Sequence, residues 1–205
     1  LQLDETGTLA SSVSMSGGTL DADNSSTVSG ALSQSGAITI DVASGKTLTY
    51  SGAAVSLDNN TLTLSGGGTL SNTNALVLNN ASSKLLLSSS ITVDNVSTSA
   101  DNSGLDVDAD STVTSLTVAH TTPVSIASGK TLSGAITVTA GSIKLGEAGT
   151  LASTVSMSGG ELDADNSSTL SGTLTQSGDI EIDVASGKTI TYSGAALSLG
   201  ANTLT

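Results

Sequence analysis

A threonine followed by an aliphatic residue recurs along the chain. It stands at Thr8-Leu9, Thr27-Val28, Thr47-Leu48, Thr69-Leu70, Thr112-Val113, Thr131-Leu132, Thr150-Leu151, Thr169-Leu170 and Thr189-Ile190, with Ser90-Ile91 filling the one gap. Successive steps are 19 to 22 residues apart. Around them aliphatic and small polar residues alternate, as in Ile38-Thr39-Ile40 and Leu62-Thr63-Leu64. Alternation of period two places the aliphatic set on one side of a strand and the threonines on the other. No stretch keeps an apolar face at helical spacing. Strands recurring every ~20 residues predict a solenoid, in a single register that runs the length of the chain.

The repeating unit has a template. An aliphatic pair such as Val124-x-Ile126 or Ile143-x-Leu145 is followed by a Gly-containing turn. The third aliphatic comes next, at Leu132 or Leu151, and a second pair closes the unit, as Ile136-x-Val138 or Val155-x-Met157. Each unit thus supplies three short strands separated by turns. One unit alone has too little apolar surface to offset its ordering entropy, whereas stacked units bury a continuous core. The expected fold is an all-β parallel β-helix, right-handed by the crossover rule and three-sided. It has about 20 residues per rung and about ten rungs, so it is roughly 50 Å long at ~4.8 Å per rung. Small insertions, after Leu48 and after Leu70, are expected to bulge outward at turns. The run Lys84-Leu85-Leu86-Leu87 breaks the alternation and leaves its faces unassigned.

A longer repeat lies over the short one. Residues 1–63 return as 143–205, offset by 142 positions, with 48 of 63 residues identical. Residues 1–205 therefore read as one continuous solenoid holding a super-repeat of seven rungs, 1–142, and a partial second copy, 143–205. Positions expected to face inward change only among aliphatics: Leu1 to Ile143, Val28 to Leu170, Leu48 to Ile190, Val55 to Leu197. Charge enters at positions expected to face out or lie in turns: Thr19 to Glu161, Ala37 to Asp179, Thr39 to Glu181. Packing constrains the first set and solubility the second.

Composition narrows the partners. The net charge is −13, with five lysines and no arginine, and the only aromatic residues are Tyr50 and Tyr192. Nucleic acid and anionic bilayers require clustered cations, so neither is an expected partner. No run of 18 apolar residues is present to span a membrane as a helix. The absence of cysteine fits an extracellular bacterial protein held by a long core rather than by disulfides. The chain begins at Leu1 without an initiator methionine or signal peptide, which reads as a segment of a longer chain.

Short Ser/Thr/Gly/Asn-rich units such as Ala-Ser-Gly-Lys-Thr-Leu-Thr-Tyr-Ser-Gly, near-identical long repeats and the lack of Cys and Arg resemble the repetitive regions of large secreted bacterial surface proteins. Autotransporter passengers and filamentous-haemagglutinin-type adhesins are the groups it is most similar to. The resemblance covers the whole chain, rests on composition and implies no functional residues. It implies a right-handed parallel β-helix exported to the cell surface.

The candidate chemistry is sparse. His120, the one histidine, stands near the one proline, Pro123, in a Thr-rich turn, with no nucleophile–base pair to be drawn around it. The lysines Lys46, Lys84, Lys130, Lys144 and Lys188 are dispersed, three of them at the same turn position. Asp21-x-Asp23, Asp106-x-Asp108-x-Asp110 and Asp163-x-Asp165 place alternate carboxylates on one strand face. Such carboxylates either share a calcium ion or form a repulsive surface against sideways aggregation. The Thr-x-Thr steps resemble an ice-binding face, but the second column (Ala10, Ser29, Thr49, Ser71, Thr92, Thr114, Ser133, Ala152, Ser171, Thr191) is mixed. The expectation is therefore no catalytic, cofactor or metal residue. The expected role is a structural rod, stalk or filament segment of an adhesin or extracellular fibre. Its partners are further rungs of the same chain, or identical subunits stacked end to end, and host or surface glycans. The alternative is a ligand-binding solenoid for glycan, calcium or ice.

Overall fold

The computed structural model describes residues 1–197 and 201–205. Among the described residues there are 25 strands and no helix, and the strands pair in parallel with the turn before and the turn after. The chain is a β-solenoid. Its first face is a nine-stranded sheet stacked in chain order from Gly18–Ala22 to Glu181–Val184. That sheet marks about nine turns of about 20 residues, against the ten rungs counted from the threonine steps. A second face carries those steps. The third begins as a two-stranded sheet, Val13–Met15 beside Leu32–Gln34, and continues through Leu76–Leu78 and Thr154–Met157.

Every turn sends alternate residues inward, as period two requires. On the first face the inward pairs are Leu62 and Leu64, Leu85 and Leu87, Leu105 and Val107, and Val124 and Ile126, all buried. Register resolves the Leu-rich run. Leu85 lies opposite Leu62 and Leu105, and Leu87 opposite Leu64 and Val107, so Leu86 faces out between Thr63 and Asp106. The core is a single hydrophobic cluster from Met15 to Ile180, with Tyr50 as its one aromatic member.

Three expectations are corrected. The first is the single register. Thr8 pairs with Thr27, but Thr27 pairs with Thr49 rather than Thr47. Thr69 pairs with Thr92 rather than Ser90. Thr112 pairs with Ser133 rather than Thr131, and Thr169 with Thr191 rather than Thr189. Each slip is of two residues, which preserves the inward and outward sets; a slip of one would exchange them.

The second correction concerns the three separate strands per turn. In the middle of the chain the second and third faces are one strand: Thr92–Thr98, Ser111–Val118 and Thr131–Val138. Between the last two, Thr114 is an extra residue where Val113 faces Gly134 and Ser115 faces Ala135, a bulge that bends the strand at the corner. Gly134 has φ of 122°, and a Cβ on it would lie 1.8 Å from the Val113 carbonyl oxygen, so only glycine fits.

The third concerns the insertions. Those after Leu48 and Leu70 do not simply bulge outward. They turn Tyr50 and Asn72 into the core corner, where the two face each other in register and are buried. The Tyr50 hydroxyl donates to the Ala53 carbonyl (2.7 Å) and accepts from Leu32 N–H (3.0 Å). Asn72 Nδ2 donates to the carbonyls of Asn74 (2.9 Å) and Asn95 (2.7 Å), and its Oδ1 accepts from Asp94 N–H (3.2 Å). The inserted residues thus satisfy backbone groups that the corner removes from the ladders.

Candidate functional site

The repeated turn Ala-Ser-Gly-Lys closes by a bond from the lysine N–H to the alanine carbonyl: Lys46 to Ala43 (2.9 Å), Lys130 to Ala127 (3.1 Å) and Lys188 to Ala185 (2.9 Å). Gly45, Gly129 and Gly187 all have positive φ, which is the third position of a type II turn. The three lysines therefore share a turn position, as their spacing predicts. Lys84 and Lys144 do otherwise. Each reaches across one turn to a carboxylate on the first face, Lys84 Nζ to Asp106 Oδ2 and Lys144 Nζ to Asp163 Oδ2, both at 2.5 Å. The hydrogen bond that each lysine donates to its carboxylate raises the pKa of that lysine.

The three aspartate runs have separate fates. Asp21 lies in register with Asp41 on the next turn. Burial, then the charges of Asp23, Asp41 and Asp4, raise its pKa. Asp23 Oδ2 accepts from Gln2 Nε2 (3.0 Å) and Asp41 Oδ2 from the Ser65 hydroxyl (2.5 Å). Asp106 belongs to Lys84. Asp110 accepts Thr131 N–H across one turn (2.8 Å), so it serves the ladder of the second face rather than a group with Asp106 and Asp108. Asp163 is 7% exposed and held by Lys144; it lies opposite Asp183 in register. Among the described residues no three His, Cys, Asp or Glu side chains converge as ligands of a metal ion would.

Turn residues stitch each coil to the next. Asp101 Oδ1 accepts both the N–H (2.9 Å) and the hydroxyl (3.2 Å) of Thr121, and these bonds lower its pKa. Asp58 N–H donates to Asn79 Oδ1 and Asn79 Nδ2 to Asp58 Oδ1, both at 2.8 Å. His120 sits half-exposed in its turn at φ 60°, with Nδ1 3.6 Å from Asp101. Under the turns lie buried hydroxyls: Ser103 and Thr122, both fully buried, are 2.9 Å apart, and each donates to the Ala100 carbonyl.

The register slips regroup the hydroxyl rows of the second face. One row reads Thr47, Thr69, Thr92, Thr112 and Ser133; the next reads Thr27, Thr49, Ser71 and then Asp94. In the latter, Asp94 accepts from Ser71 (2.7 Å) and Thr114 (3.0 Å), so a carboxylate interrupts the threonines. A shallow trough of about 260 Å³ runs over this face between Ser90, Thr92, Asp110, Thr112, Thr131 and Ser133. Within the core, the void beside Tyr50 and Leu70 is about 10 Å³, too small for any ligand beyond a water molecule.

The cleanest row is on the third face. Ser97, Thr117, Thr137, Ser156 and Thr175 stand in register on five successive turns, and Val77 joins Ser97 to Ser56 in the same row. No charged residue interrupts it. Sequence reasoning missed this row because it followed the threonine steps, which belong to the second face. The signal was present as the polar residue one place after Val96, Leu116, Ile136, Val155 and Leu174, the aliphatic residues that open each third-face strand segment.

No protein-family model, curated protein or solved structure matches the chain.

Proposed function

We propose that this chain is a rod segment of a large repetitive surface or secreted protein, an adhesin stalk or extracellular fibre of the autotransporter or filamentous-haemagglutinin kind. The observation that carries the reading is the axial core. One hydrophobic cluster continues from Met15 to Ile180, joined turn to turn by parallel ladders. The second copy of the super-repeat keeps that core aliphatic while varying the outside. A stack of this kind lengthens by adding turns without redesigning any contact. Its mechanical task is to hold two points apart. Its partners are further turns of the same chain or identical subunits stacked end to end, with glycans at a tip or along a face, outside the cell.

The test is length. Chains carrying one, two and three super-repeats should form rods that grow by roughly 34 Å per repeat, seven turns at ~4.8 Å each. Electron microscopy or small-angle scattering reads this directly. A particle that grows in thickness instead, or that collapses into a globule, refutes the rod.

A ligand-binding solenoid is the second reading, favoured by the uncharged hydroxyl row of the third face. Its ligand would be extended and regular, such as a polysaccharide or ice. Thr137→Lys in the middle of that row should abolish binding to such a ligand while leaving the melting temperature close to that of the parent. Equal binding by both forms removes this reading.

A further inference from the structure

The two copies of the super-repeat differ most in charge on two successive turns of the first face. In the second copy Glu161 and Glu181 stand opposite each other in register, one step from the opposed pair Asp163 and Asp183. Equivalent positions in the first copy are Thr19 opposite Thr39 and Asp21 opposite Asp41. The second copy has therefore placed two glutamates beside a pair of stacked aspartates that was already present. Neighbouring strands are ~4.8 Å apart, so four carboxylates share a small patch of the first face. Like charges directly opposite one another destabilise a strand pair.

We infer that this carboxylate ladder is a proton-operated clasp between the turns at Glu161–Ala164 and Glu181–Val184, loosened at neutral pH and tightened by mild acid. The groups facing it come from each neighbouring turn. The preceding turn gives one cation, Lys144, already engaged with Asp163. Asp165 follows on the same turn, and the next turn adds Asp179. The last residue, Thr205, lines the same shallow depression as Glu161, Asp179 and Glu181. One lysine against these carboxylates leaves the Glu161–Glu181 pair only partly compensated.

The titration has a defined sign. Burial, then Asp163, Glu181 and Asp183, raise the pKa of Glu161 above its ordinary 4.5, with Lys144 opposing. A carboxyl whose folded pKa is raised takes up its proton more readily in the folded state. Stability is thus lowest above the folded pKa, and it recovers as pH falls through that value toward 4.5. Asp21 is raised in the same direction in the first copy, where burial leads and Asp23, Asp41 and Asp4 follow. The backbone bonds under control are Glu181 N–H to the Gly160 carbonyl and Ala185 N–H to the Ala164 carbonyl, both 3.1 Å. Protonation of Glu161 leaves these bonds intact and relieves the Glu161–Glu181 repulsion across them.

Hydrogen exchange tests the clasp on the full 205-residue chain. Protection factors of the Glu181 and Ala185 amides are compared at pH 7 and pH 5, with the Thr150 amide, which bonds the Lys130 carbonyl in mid-chain, as internal reference. Protection at the first two amides should rise severalfold at pH 5 while the reference holds level. Glu161→Gln/Glu181→Gln should show the high protection at both pH values. A reverse graft, Thr19→Glu/Thr39→Glu, should transfer the response to the Thr39 amide of the first copy. Unchanged protection at Glu181 and Ala185 in the parent chain, or a pH response that survives in the double glutamine form, overturns the inference. If the glutamine form does not fold, the graft decides: no pH response at Thr39 overturns it equally.

Discussion

Replacing Leu132 by aspartate probes the assignment of inside and outside at one point. Leu132 is fully buried and lies opposite Ser111 on one turn and Leu151 on the next. Removing its side chain alone, as in Leu132→Ala, costs about 2–5 kcal/mol from lost transfer energy and the cavity left behind. Aspartate adds a buried carboxyl with no donor to meet it. The nearest hydroxyl in register, Ser111 Oγ, is already spent on the carbonyls of Ser89 (3.1 Å) and Ala109 (3.0 Å). Protonating the carboxyl avoids an ionised group but leaves an unpaired polar one, a further ~1–3 kcal/mol. The total, about 3–8 kcal/mol, is comparable with the whole stability of an ordinary domain.

Thr131→Ala is the matched control. Thr131 is outward, and the bond to Asp110 comes from its backbone N–H, which alanine keeps. Its cost should stay within about 0.5 kcal/mol, as for other surface changes. Thermal unfolding shows the contrast, since each kcal/mol shifts Tm by about 2–4 °C in a chain of this size. Hydrogen exchange localises it, because a stack with nearest-neighbour coupling opens first at its damaged turn. Similar losses for Leu132→Asp and Thr131→Ala would refute the facing of the second face.

Three further outcomes follow from particular contacts. Tyr50→Phe should cost about 1–3 kcal/mol in thermal unfolding, because it strips the acceptor from the buried Leu32 N–H and the donor from the Ala53 carbonyl; a change below ~0.5 kcal/mol would show that water replaces the hydroxyl. Gly134→Ala should be far more damaging than Gly129→Ala: its Cβ would collide with the Val113 carbonyl, whereas nothing lies within 4 Å of a Cβ on Gly129, so relative Tm values separate steric clash from turn strain. Adding a chelator should leave Tm unchanged, and a calcium-dependent rise in Tm would instead make the aspartates ligands by linkage.

The sequence conveys the fold through period and parity. Thr-x-Thr alternation and the ~20-residue return are local signals, and both survive in the structure; of the aliphatic exchanges between copies, Leu1 to Ile143 departs from the expected facing, since Ile143 is buried but Leu1, on the first turn, is 56% exposed. Register was not legible because a slip of two residues leaves every local signal untouched. Thr49 looks as good a partner for Thr27 as Thr47 does, and only the turn geometry between Val28 and Leu48 decides. The inward turn of Tyr50 and Asn72 was hidden for another reason. A tyrosine and an asparagine in Ser/Gly-rich insertions read as surface residues, and only the backbone groups left over at the corner explain why they are buried. The ion pairs Lys84–Asp106 and Lys144–Asp163 depend on residues about one turn apart being neighbours, so they become visible once the register is known.

The slips bear on how a solenoid of this kind would respond to tension along its axis. The departures from the threonine register are all of two residues, and all fall on the second face; the pairings of the first face pass from Leu62 to Ile182 without one. The first face therefore sets the stacking, and the turns beside the second absorb differences in length. Tension along the axis acts on turn-to-turn bonds one after another, so the weakest interface yields first. Side-chain stitches sit where the ladders are interrupted: Asp110 to Thr131, Asp101 to Thr121 and Asp58 to Asn79 each cross one turn at a corner. Exposed bonds of this kind contribute little to equilibrium stability individually. Placed at the corners, they close the gaps at which a turn would begin to peel. The acidic pair Glu161–Glu181 runs the other way; by the inference above, the interface it spans is the one at which the stack should part first at neutral pH.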